Sequence, residues 1–126
     1  KGKITGRRVI NVEGDRPVLE MSVQVSGKLL GTDYDGTITY QAEGRNGGWM
    51  SGYGEGVLVM KDGEIVTFTG NGTGKRTGKG TGMSWRGCIF YETSSNKHQR
   101  LNGLACVFEH EVDDQGNVDD KVWEWK

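Results

Sequence analysis

A single proline, two cysteines, two histidines and no long apolar run set the first limits on this chain. Pro17 stands alone beside 22 glycines, which argues against a disordered linker, where the two residue types rise together. Cys88 and Cys106 make neither a disulfide framework nor a zinc site, and lone His98 and His110 do not supply one either. No metal and no cofactor is expected. No apolar stretch approaches the roughly 20 residues that span a bilayer, and no charged-then-apolar signal segment opens the chain. The expectation is a soluble, cytoplasmic protein without a membrane partner, although Lys1 in place of Met leaves a removed leader open. With 16 basic against 17 acidic residues the net charge is −1, which provides no field to recruit nucleic acid. A helical apolar stripe is missing throughout.

Strand patterning fills the chain instead. Leu19, Met21, Val23 and Val25 alternate with polar residues, as do Tyr34, Ile38 and Tyr40. Glycines recur at every second position, at 52, 54 and 56, at 70, 72 and 74, and at 78, 80 and 82, which is the side-chain period of a strand. Turn chemistry separates the runs at Glu13–Arg16, Gly27-Lys28, Gly44–Gly48, Asp62-Gly63, Ser94–Gln99 and Asp113–Asn117. The reading is one all-β domain over residues 1–126: a closed antiparallel up-and-down barrel of about eight strands, first paired with last, with a two-sheet β-sandwich as the alternative.

Read as a two-residue type I′ turn, Asp62-Gly63 sets a register. Val59 then opposes Val66, Val57 opposes Phe68, Glu55 opposes Gly70 and Tyr53 opposes Gly72. Glycines facing aromatics suit the coiling of a small barrel. On this register Tyr53 and Glu55 share the inner face with Phe68, and Glu55 in a glycine-lined lumen would have a raised pKa. A hairpin centred near Lys97 sets Cys88 against Cys106, Tyr91 against Gly103, and places Arg86, Cys88, Phe90, Leu104, Phe108 and His110 on one face. Arg86 could neutralise Glu55 there, against the plainer alternative that both charges sit at the rim. Leu58, Met60 and Ile65 make the other face partly apolar, and a homo-oligomer is expected from it.

Known motifs are absent. The run Gly74-Lys75-Arg76 and Gly78-Lys79-Gly80 lacks phosphate-loop spacing, the acidic residues 113, 114, 119 and 120 lack calcium-loop spacing, and no serine lies in a nucleophile elbow. The segments Gly52-Tyr-Gly-Glu-Gly56, Gly70-Asn-Gly-Thr-Gly74 and Gly78-Lys-Gly80 resemble the allene-oxide-cyclase-like barrels, which include small uncharacterised bacterial proteins with a similar Gly-Ser-Gly-Thr-Gly stretch. The resemblance implies an eight-stranded barrel with a central cavity and, for some relatives, a cofactor-free cyclase or isomerase; no catalytic motif of those enzymes maps onto this chain. Three functions follow as expectations. The first is a lumen that binds a small apolar or amphipathic molecule through Tyr53, Glu55, Phe68, Arg86, Phe108 and His110. The second is a cyclase or isomerase using Glu55 and Arg86. The third is a carbohydrate-binding or interaction module presenting Trp49, Trp85, Trp123 and Trp125.

Overall fold

A computed structural model describes every residue from Lys1 to Lys126. Eight strands follow one another around a single antiparallel ring: β1 (Gly2–Glu13), β2 (Arg16–Leu29), β3 (Thr32–Gly44), β4 (Trp49–Met60), β5 (Ile65–Arg76), β6 (Met83–Glu92), β7 (Cys106–Val112) and β8 (Asn117–Glu124). The barrel expectation holds, and the sandwich is discarded. The one helical element is a 3-10 turn, Gln99–Leu101, and no helix is long and apolar enough to cross a membrane.

Closure is brief. β1 meets β8 at Gly2–Val118 and Lys3–Asn117, with the Ile4 amide donating to the Gly116 carbonyl at 2.8 Å. Beyond this seam β1 runs on with β2, and its ladder slips between Ile4 and Gly6 and again between Val9 and Asn11. Bulges of this kind, with Arg7 and Arg8 between them, twist and charge an edge that would otherwise invite pairing.

Parity along β2 and β3 is as the alternation demands: Met21, Val23, Val25 and Ala42 are buried, and Tyr34, Ile38 and Tyr40 pack towards them. β2 continues through Gly27-Lys28, however, and turns at Leu30-Gly31, where both residues have positive φ (49° and 81°). A leucine in that region is strained by about 1–2 kcal/mol, and its place beside Leu29 in the sequence disguises the turn.

The β4–β5 register differs from the expected one by a single residue. The Gly63 amide donates to the Met60 carbonyl and the Met60 amide to the Glu64 carbonyl, both at 2.8 Å, so the loop is the three residues Lys61-Asp62-Gly63, with Gly63 at φ 87°. Pairing becomes Leu58–Val66, Gly56–Phe68, Gly54–Gly70 and Gly52–Gly72. A slip of one exchanges the faces of a strand. Leu58 and Met60 are therefore buried, while Val57, Val59 and Ile65 lie outside with Phe90, and the expected subunit contact would have to use these outer residues. The Asp62 carboxylate holds this turn to the β6–β7 connection. It accepts from the Glu64 amide, Lys97 and His98, each at 3.0 Å, and the amide bond first, then Lys97, hold its pKa down at about 2.

The β6–β7 hairpin is likewise asymmetric about Lys97. Asn102 ties back to Thr93, accepting from its amide and donating to its carbonyl at 2.9 Å each, and the 3-10 turn buries Leu101. Cys106 opposes Ile89, and Cys88 opposes Val107. Trp85, Ile89 and Tyr91 consequently face in, whereas Arg86, Cys88 and Phe90 face out; Cys106, Phe108 and His110 of β7 are inward as expected. Cys88 is exposed and Cys106 buried, which removes the proposed cross-strand pair.

Glycine sets the thickness of the wall. Gly52, Gly72 and Gly87 stand opposite one another across β4, β5 and β6. A Cβ at Gly72 would lie 2.6 Å from the Arg86 carbonyl oxygen, and one at Gly87 would overlap the Asn71 carbonyl. Backbone atoms cannot yield as a side-chain end can. Gly87→Ala is expected to destabilise the fold by about 2–3 kcal/mol in urea unfolding, while Gly78→Ala, which meets nothing within 4 Å, stays within about 0.5 kcal/mol of the parent. Equal behaviour of the two variants would contradict the close β5–β6 approach.

Candidate functional site

One half of the barrel is solid, packed by Val23, Val25, Leu58, Met60, Val66 and Ile89. The other half holds a cavity of about 110 Å³. The difference arises where the wall is glycine: residues 52, 54, 70 and 72 contribute no side chain, and aromatics lean over the space from other strands. Trp85 lies on this glycine floor, its ring 2.6 Å from where a Gly52 Cβ would stand and 2.7 Å from a Gly74 Cβ. Ile38, Phe68 and Phe108 complete an apolar lining around Tyr40 and Tyr91.

The polar groups of the lumen follow from one cross-strand row. Met50 opposes Gly74, Gly74 opposes Trp85, Trp85 opposes His110 and His110 opposes Asp120. Residues so paired share a face. His110 Nδ1 is hydrogen-bonded to Asp120 Oδ1. Tyr40 packs edge-on against both Trp85 and His110, with ring centroids 5.7 Å and 5.5 Å away. His110 Nε2 and Trp85 Nε1 are buried without a hydrogen-bond partner, and each such group costs roughly 1–3 kcal/mol.

An ionised carboxylate accepts hydrogen bonds and cannot donate them, so the proton of this pair sits on Nδ1. When the ring is neutral this leaves Nε2 as an acceptor, the arrangement in which a carboxylate orients an imidazole for proton transfer. Burial raises the Tyr40 and Tyr91 phenols well above the ordinary value of 10, and the Asp120 charge adds to the shift in both. Tyr34 is raised for the same two reasons, burial first.

The residues expected at the site divide. Phe68, Phe108 and His110 line the lumen. Tyr53 forms part of the wall, but its side chain is 48% exposed and its hydroxyl donates outside to Glu55 at 3.4 Å. Glu55 is exposed, so the burial that was to raise its pKa is missing. Arg86 is outside as well, paired with Glu111 at 3.1 Å and Glu109 at 3.8 Å and not with Glu55. The register slip in β4 and the asymmetric β6–β7 loop account for both corrections. Of the four tryptophans Trp85 is inside, leaving Trp49, Trp123 and Trp125 on the surface. Sequence reasoning missed Tyr40 and Asp120 as site residues and set Trp85 on the surface instead of in the lumen. The inward alternation of β3 signals Tyr40, whereas Asp120 is one of four acidic residues weighed in the sequence as a calcium loop. No protein-family model matches the chain, and no curated protein or solved structure matches it either.

Removing the Asp120 charge should lower the pKa of the Tyr40 phenol. In Asp120→Asn the phenol Cζ resonance of Tyr40 should titrate at lower pH than in the parent, yet still above 10, because burial is the larger cause. An unmoved titration would mean that Asp120 does not face that ring.

Proposed function

We propose that this barrel binds a small, largely apolar molecule in its lumen. The observation that carries the reading is the aromatic cavity of about 110 Å³ beside a packed half-barrel. It is close in size to cavities of about 150 Å³ that take up benzene, so the ligand, or the part of it that enters, is ring-sized. A core built for stability alone would fill such a space, since unfilled volume forfeits contacts. The eight-stranded ring with glycine beneath aromatics also supports kinship with the allene-oxide-cyclase-like barrels. A cyclase or isomerase reading would now rest on the His110–Asp120 pair, with Glu55 and Arg86 playing no part inside.

Toluene is a suitable probe. It should raise the unfolding temperature of the protein in proportion to the logarithm of its concentration above the dissociation constant. Ile38→Trp, which places bulk in the lining, should unfold cooperatively and lose at least nine-tenths of that response. A parent protein indifferent both to toluene and to a ring-sized hydroxylated analogue, with no change in the Phe68 and Phe108 ring resonances, would end the reading.

A further inference from the structure

The polar atoms of the lumen specify more than an apolar guest, on the condition that the lumen reading above is right. His110 and Trp85 are neighbours across β6 and β7 and are only 8% and 4% exposed. Each leaves one polar atom unpaired: a ring nitrogen that accepts when the imidazole is neutral, and an indole N–H that donates. Both side chains line the cavity and rest against the same Tyr40 ring, so the two rings share one corner of it. The remainder of the lining is mostly apolar, its other polar groups being Asn71, Asp120 and the tyrosine hydroxyls.

We propose that the cavity selects a ring-sized hydroxy compound, a phenol or a cyclic alcohol, whose hydroxyl donates to His110 Nε2 and accepts from Trp85 Nε1–H. A hydroxyl is the smallest group that is donor and acceptor at once. A hydrocarbon of the same shape would leave both protein atoms unpaired. A carboxylate would satisfy the indole but would bring a second negative charge towards Asp120 and set an acceptor against an acceptor. An ammonium group would satisfy His110 and leave the indole unmet. Asp120 acts here as a positioning residue: by accepting from Nδ1 it keeps the free lone pair on the nitrogen that remains unpartnered.

The comparison of p-cresol with toluene tests this on the unaltered full chain. The two differ by one hydroxyl, and moving a hydroxyl out of water without a new hydrogen bond is unfavourable, so an apolar cavity with no polar recognition prefers toluene. The expected result is that p-cresol binds at least tenfold more tightly by calorimetry. Its binding should also shift the 15N resonance of His110 Nε2, and toluene should leave that resonance in place. 4-Methylanisole, which accepts but cannot donate, should lose the advantage. Toluene binding as tightly as p-cresol would overturn the hydroxyl assignment and leave the cavity reading standing. Benzoate binding most tightly would replace the hydroxyl with an anion. Failure of all four probes to bind would overturn both readings.

Discussion

The interior of this barrel is decided by a one-residue matter, the length of the loop at Lys61-Asp62-Gly63. Successive side chains of a strand point to opposite faces, so the loop that fixes the β4–β5 register also fixes which half of each strand pair is inside. With Gly63 in the left-handed region and three residues in the loop, the even-numbered positions of both strands turn inward. Those positions are glycines from 52 to 56 and from 70 to 74, and become bulky towards the turn, at Leu58, Met60, Val66 and Phe68. A barrel that is solid at one end and hollow at the other results. Asp62 holds that turn with three contacts, to the Glu64 amide, Lys97 and His98, and so links the register to the β6–β7 loop.

From this follows the character of the lumen. Glycine brings β5 and β6 close at Gly72–Gly87 and clears the floor on which Trp85 lies. The row that begins at Met50 and Gly74 then delivers Trp85, His110 and Asp120 in succession to the same face. Apolar volume and a small polar corner are thus products of one cross-strand alignment. Their combination is what a site for a small amphipathic molecule requires: mostly apolar walls, with few polar groups to orient the guest.

Much of this was legible in the residues. Met21, Val23 and Val25 of β2 and Tyr34, Ile38 and Tyr40 of β3 declare their inward face by alternation, because polar residues occupy the other face without exception over those spans. The glycine periodicity declares strands and curvature. What alternation could not supply was parity in β4, where Val57 and Val59 compete with Leu58 and Met60 on near-equal terms. The choice fell to a turn whose Asp-Gly pair fits loops of two or three residues. In β6 the same ambiguity arose because the following connection folds on itself through Asn102 and Leu101, which no symmetric hairpin anticipates. Asp120 was out of reach for a different reason: its role depends on a partner strand, and a carboxylate in an acidic segment is most simply read as solvated.

Inside and outside along β6 and β7 are therefore the claim on which the site stands, and the two thiols report it directly. Reaction of the native protein with a thiol reagent, followed by peptide mass spectrometry, should modify Cys88 rapidly and leave Cys106 protected until the protein is unfolded. Fast labelling at Cys106, or protection of Cys88, would place Arg86 in the lumen instead of Trp85 and dismantle the polar corner with it.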